Sequence, residues 1–270
     1  MALTEIELQK LKDAEFSILE AFDEYCCSND LRYYLIGGAL LGSARYGDFI
    51  PWDDDIDVAM PREDYERLYT LWQKNPKVGL FLQRAETDPM FSRCITKIRK
   101  ENTEIIEAIS QNAKINHGIY IDIFPIDYVP EINEKKLAKK ASKIRKLMSL
   151  RAIRGGYVEG RKSRIKKILK IFVDLLPYKI IDAKIYKECT ELNSESKNYA
   201  IIWVHNYAWN RQLHDIDVFG DSGECIFRSK SFKAPKKIDV FLKKVFGDNY
   251  MEEPPIDKRV TPHRYLSVNF

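Results

Sequence analysis

The first apolar stripe of the chain runs through Leu8, Leu11, Ile18, Leu19, Phe22 and Cys26 at helical spacing, behind a Thr4 and Glu7 pair placed as a capping box. That pattern predicts a helix ending near Ser28 and Asn29. The run LRYYLIGGALL over 31–41 then reads as a short buried strand broken at Gly37 and Gly38, where a turn or helix of small residues begins. After a loop holding Gly47 and Pro51, acid and apolar side chains alternate from Asp55 to Met60, which predicts a strand stopped by Pro61. A helix over 62–74 puts Tyr65, Leu68, Tyr69 and Trp72 on one face. Two further strands are predicted over Phe91–Arg99 and Gly118–Phe124, the latter alternating Ile119, Ile121 and Ile123 with Tyr120 and Asp122. From about 131 to 200 the pattern is helical and includes an amphipathic helix over 161–176, ended by Pro177. The remainder mixes short strands over 201–204 and 224–227 with a helix over 236–246 and a Pro-rich basic tail.

These elements predict an α/β chain of the α+β kind, a mixed-sheet core with flanking helices and a helical insertion. The expected organisation is a catalytic core over 1–130, a basic helical segment over 131–200, and an α/β segment over 201–270 completing the same domain. With 270 residues, 45% hydrophobic and 12% aromatic, a sizeable core is expected, which excludes disorder, collagen and coiled coil. No apolar run approaches the ~20 residues that cross a bilayer, and Met1 to Asp13 lack a basic start and an apolar stretch of leader type. A cytoplasmic location is therefore expected, either free or peripheral at the inner face of the membrane. Cys26, Cys27, Cys94, Cys189 and Cys225 show no ligand spacing and read as buried, reduced thiols.

The net charge of +4 conceals an uneven distribution, because fifteen Lys or Arg and a single acid, Glu159, occupy 135–170. Helix 161–176 is basic on one side and apolar on the other. It is a candidate for peripheral contact with an anionic membrane, and equally a solvated face over a core. A nucleic-acid partner is not expected, since the arm lacks a recognisable module and interleaved aromatics.

The densest chemistry lies in Gly47–Val58, which contains Asp53, Asp54, Asp55 and Asp57. On an extended chain residues two apart share a face, so Asp53, Asp55 and Asp57 can point one way. Two unit charges at 4 Å repel by about 4 kcal/mol at an effective dielectric near 20, so such a row calls for a cation or full solvation. An all-oxygen ligand set favours Mg²⁺ or Mn²⁺ over zinc. A plain acidic surface loop fits poorly, because Ile56, Val58 and Met60 interleave with the acids. A calcium loop counted from Asp53 would need Gly where Val58 stands and Glu where Asp64 stands.

The run Ile36–Arg45, then Phe49–Asp57, resembles the signature of LicD-type phosphotransferases, members of the nucleotidyltransferase-fold superfamily related to fukutin and fukutin-related protein. The resemblance recurs at Gly118–Asp127 and again at Pro235, Phe246–Met251, Pro254, Pro255, Lys258 and Arg259. It implies that Gly37 and Gly38 form a turn letting backbone amides approach donor phosphates. It further implies Asp55 and Asp57 as paired catalytic metal carboxylates, Asp122 as the third, and Asp53 beside them. Ser43, Arg45 and Lys97 would count among the donor-binding residues, Arg45 and Lys97 at the diphosphate. The chain departs from the family at Phe227–Lys230, where basic residues replace an acidic element. The implied reaction is Mg²⁺-dependent transfer of a phospho-alcohol, phosphocholine foremost, from a CDP-alcohol to a glycan or lipid-linked glycan, releasing CMP. Two alternatives remain: a glycosyltransferase whose Asp55 and Asp57 bind Mn²⁺ and a UDP-sugar, and a non-catalytic anion- or membrane-binding module. Trp203, Tyr207 and Trp209 read either as a cage for a quaternary ammonium or as core packing. His117, His205, His214 and His263 show no triad context, though His263 in the basic tail could meet a phosphate.

Overall fold

A computed structural model describes residues 3–154, 178–193, 196–261 and 263–270 of the chain. The helix expected over 161–176 lies outside the described residues. In order, the elements are α1 (Glu5–Ser28), β1 (Tyr34–Ile36), α2 (Gly37–Tyr46), β2 (Asp57–Pro61), α3 (Arg62–Lys74), β3 (Leu80–Gln83), β4 (Thr96–Lys100), β5 (Glu104–Glu107) and β6 (Tyr120–Val129). There follow α4 (Glu134–Arg154), α5 (Tyr178–Thr190), β7 (Tyr199–Ile201), β8 (Leu213–Asp215), α6 (Ile216–Phe219), β9 (Gly223–Phe227), β10 (Lys230–Ala234), α7 (Ile238–Phe246) and β11 (Tyr265–Asn269).

The main sheet has the order β1-β2-β6-β4-β3, with β7 paired to the far half of β6 and β8 to β7. Only β2 and β6 run parallel in it; the other pairings are antiparallel. Helices pack against this mixed sheet, which gives the α+β class expected. Thr4 caps α1 by accepting from the Glu7 N–H while the Glu7 carboxylate returns to the Thr4 N–H, as the sequence signals. α1 packs on β4 and β6, and α3 on β2 and β6. Leu11, Ile18, Leu19 and Phe22 of α1 and Ile121 and Ile123 of β6 are all fully buried.

Several expectations are corrected. β2 starts only at Asp57, so Asp53–Ile56 are irregular chain. β4 starts at Thr96, five residues beyond the expected Phe91. β6 runs on through Pro125 to Val129, which a proline would ordinarily forbid. Along that edge β4 pairing stops at Ile123 and β7 pairing begins at Asp127, so Pro125 falls in a gap where an N–H has no partner to lose. β9 and β10 form a hairpin whose two-residue loop, Arg228 and Ser229, adopts φ of 51° and 64°, the primed-turn conformation that matches strand twist. All five cysteines are free, Cys27 exposed rather than buried. Among the described residues no helix is long and apolar enough to cross a membrane.

Candidate active site

Strand pairing gathers the first part of the site. Asp57 of β2 stands opposite Asp122 of β6, Asp122 opposite Lys97 of β4, and Ile36 of β1 opposite Asp57. Directly opposed residues share a face of the sheet, so Asp57, Asp122 and Lys97 form one row across three strands. Lys97 Nζ lies 2.8 Å from Asp122 Oδ1 and 4.0 Å from Glu107 Oε1, above the Tyr120 ring. The Tyr120 hydroxyl donates to Glu107.

The chain passes from β1 into α2 at Gly37, whose φ of +60° suits glycine. A Cβ there would stand 2.7 Å from Asp57 Oδ2, and one on Gly38 would stand 2.1 Å from Asp53 Oδ2. The glycine pair thus allows two carboxylates to press against the first turn of α2, whose cap, Ile36, supplies no side-chain hydrogen bond. Free N–H groups and the helix dipole favour negative charge at that point.

The acid loop is held from α1. Lys12 Nζ donates to the carbonyls of Ile50 at 3.0 Å and Pro51 at 2.9 Å. Carboxylate oxygens of Asp53, Asp54 and Asp55 lie within 4.8 Å of one another. Burial, then the charges of Asp54 and Asp57, push the Asp53 carboxyl up to about 7. Burial followed by Asp57, Asp53 and Asp54 raises Asp55 well above the ordinary carboxylate range. Asp122 is raised too, burial dominating while Lys97 opposes and Asp57 adds. Glu15 of α1 lies behind the cluster and is raised by burial and by Asp54, Asp53 and Asp122. Glu107 moves the other way, to about 2, because Lys97 and the Tyr120 hydroxyl outweigh its burial.

Two histidines border the acids. His205 Nε2 lies 3.8 Å from Asp57 Oδ2, and its ring stacks on Tyr207 with centroids 4.8 Å apart. His263 Nδ1 lies 3.0 Å from Asp54 Oδ1 and 3.9 Å from Asp55 Oδ2. Burial disfavours the His263 charge, but the bond to Asp54 prevails and holds the imidazole above its ordinary value. Burial and the charges of Asp57, Asp53 and Asp55 push the Tyr207 hydroxyl up to about 12. Trp203 is buried, 5.8 Å beneath the Lys140 ammonium.

Of the residues expected from sequence, Gly37, Gly38, Asp53, Asp55, Asp57, Asp122 and Lys97 come together here. Ser43 and Arg45 do not. They sit toward the opposite end of α2, where Ser43 Oγ donates to Ile226 O at 2.8 Å and Arg45 donates to the carbonyls of Tyr250 and Glu252. Sequence reasoning missed Glu15, Asp54, Glu107 and His205. Glu15 carried a signal, a carboxylate on the apolar side of α1 beside Leu11 and Ile18; His205 carried one as a member of the aromatic cluster with Trp203, Tyr207 and Trp209, though not as a neighbour of the acids.

The donor set is all carboxylate oxygen in negative excess, and Asp54 Oδ2 is buried without a hydrogen-bond partner among the described residues. This fits a hard divalent cation of the Mg²⁺ or Mn²⁺ type, for which Asp53, Asp54 and Asp55 stand close enough together, while the expected ligands Asp57 and Asp122 lie outside that group.

Residues 30–149 match the LicD/FKTN/FKRP family, nucleotidyltransferase domain. Over 251 residues, 92% of each chain, the sequence is 24% identical to the lipopolysaccharide cholinephosphotransferase LicD of Haemophilus influenzae. A stretch of 34 residues, 13% of this chain and 7% of the relative, is 59% identical to the human ribitol 5-phosphate transferase FKRP.

Proposed function

We propose, for a chain that carries a LicD-type nucleotidyltransferase domain over residues 30–149, a Mg²⁺-dependent phosphotransferase that moves a phospho-alcohol from a CDP-alcohol to a glycan hydroxyl. The alcohol is choline, the acceptor a precursor of a cell-surface polymer such as lipopolysaccharide, teichoic acid or capsule, and CMP leaves. The similarity along 92% of a cholinephosphotransferase supports the alcohol. The observation that carries the reading is the Asp57, Asp122 and Lys97 row abutting the glycine entry to α2.

Asp53 and Asp55, with Asp57 beside them, would hold Mg²⁺ (or Mn²⁺), which when bound offsets charge on the phosphate oxygens, and Asp122 is left to the acceptor. The backbone N–H groups of the α2 first turn receive donor phosphate oxygens, and the bare glycines let Asp57 and Asp53 stand beside them. Lys97 occupies Asp122 Oδ1, which leaves Oδ2 to accept the hydrogen bond of the acceptor hydroxyl and orient it. As the hydroxyl oxygen bonds to the phosphorus bearing the alcohol, the bond to the CMP phosphate breaks and the proton passes to Asp122 Oδ2. We place the work on the cytoplasmic side.

Thermal-shift screening with Mg²⁺ tests the donor class. Stabilisation by CMP and CDP-choline is expected; stabilisation by UDP-sugars and not by cytidine nucleotides would replace this reading with a glycosyltransferase.

A further inference from the structure

Next to the acid row lies a cavity of about 310 Å³, within the size range of small-molecule sites. Its floor is β4, through Lys97 and Arg99, and one wall is α4, through Arg145 and Met148. Arg93 and His205 close the side toward the acids. Among the described residues, four cationic side chains, Arg93, Lys97, Arg99 and Arg145, face a single lining carboxylate, Glu107. Among the described residues Arg93 makes no hydrogen bond or ion pair, and Arg145 donates only to Tyr207 O, at 2.9 Å. Each guanidinium has five donors in a planar fork that matches phosphate, so most of this donor capacity is unspent.

The cavity lies on the far side of the row from the glycine turn. Strands β1, β2, β6 and β4 stand in that order. At about 4.8 Å per strand, β4 lies ~14 Å from β1, where donor phosphates would meet α2. Phosphoryl transfer places attacking and leaving oxygens roughly in line, on opposite sides of phosphorus. The β4 side is therefore the acceptor's.

We propose that this cavity is an acceptor subsite for phosphate, so that the glycan receiving the transferred group already carries a phosphate ester. The inference rests on the reading of Asp122 as the carboxylate that meets the acceptor hydroxyl.

The test is calorimetric titration of the full chain with glucose 6-phosphate and with glucose at ~0.1 M salt, without nucleotide and again with saturating CMP and Mg²⁺. Glucose 6-phosphate should bind at least thirtyfold more tightly than glucose, and CMP should change that affinity less than threefold. Arg93→Gln and Arg145→Gln should each weaken glucose 6-phosphate about tenfold and leave CMP affinity within twofold. Both variants should fold, since neither side chain forms an ion pair among the described residues. Equal affinity for glucose, competition by CMP, or loss of CMP binding in the arginine variants would overturn the subsite, the last two assigning the cavity to the donor. Binding of glucose 6-phosphate as expected without turnover of any CDP-alcohol would sink the transferase reading alone.

Discussion

Replacing Gly38 by Ala probes the site with a single methyl group. The new Cβ would lie 2.1 Å from Asp53 Oδ2 and 3.2 Å from its Cγ, against an ordinary contact of 3.4 Å or more. Asp53 must withdraw by about 1.3 Å. Misplacement by ~1 Å in a positioned constellation costs about a hundredfold in rate, or ~2.7 kcal/mol of transition-state stabilisation. Stability should respond differently. Gly38 lies in a helix without positive φ, where alanine gains up to ~1 kcal/mol, and moving Asp53 away from Asp54 and Asp57 relieves repulsion. Urea midpoints should therefore stay within ~1 kcal/mol of wild type while kcat/KM falls about a hundredfold. If the loss acts through Asp53, Gly38→Ala in an Asp53→Ala background should add almost nothing. Wild-type turnover in Gly38→Ala, or additive losses in the pair, would refute the reasoning.

Asp57→Asn should hold or raise the stability of the metal-free protein, by removing one of several crowded carboxylates, and should abolish thermal stabilisation by Mg²⁺; undiminished stabilisation would contradict its place in the site. Arg62 meets Asp127 through two bonds, at 2.8 and 2.7 Å, in the interior. Arg62→Met strands that buried carboxylate and should cost ~3–5 kcal/mol in urea unfolding, a loss under 1 kcal/mol being inconsistent with the pairing. His214 stacks on Phe241 with centroids 4.6 Å apart, and burial, then Lys244, depress it from 6.5 to about 4. The unfolded chain takes up this proton first, so stability is complete above pH 6.5, falls by ~2 kcal/mol by pH 5 and levels off below 4. His214→Phe should remove that part of the acid sensitivity; identical pH profiles of urea midpoints for variant and wild type would count against it.

What could be read from the sequence was local. The Thr4 and Glu7 box and the strand broken at Gly37 each declare themselves within a few residues and are found in the fold, and the strand expected from Asp55 is found from Asp57, without the alternation that announced it. The family resemblance added Asp122 and Lys97, which alternation alone could not have matched to Asp57. What stayed hidden depends on contacts across the chain. β5 pairs with β11 across some 160 residues, and no local pattern in Glu104–Glu107 announces it. His263 just ahead of β11 is thereby delivered to Asp54. Arg45 carries the charge expected of a phosphate ligand, but α2 points it at the carbonyls of Tyr250 and Glu252. The gap between β4 and β7 along β6 is likewise a property of three strands together, so Pro125 misleads when read alone.

The central claim is that the acid row drives transfer from a cytidine diphosphate donor. Its most direct test is release of CMP from CDP-choline by the full chain with a glycan acceptor, measured with Mg²⁺, with chelator, and in Asp57→Asn. The account predicts Mg²⁺-dependent, acceptor-dependent release that chelator and Asp57→Asn both abolish. Release that is unchanged in Asp57→Asn, or no release from CDP-choline or any other CDP-alcohol, would contradict it.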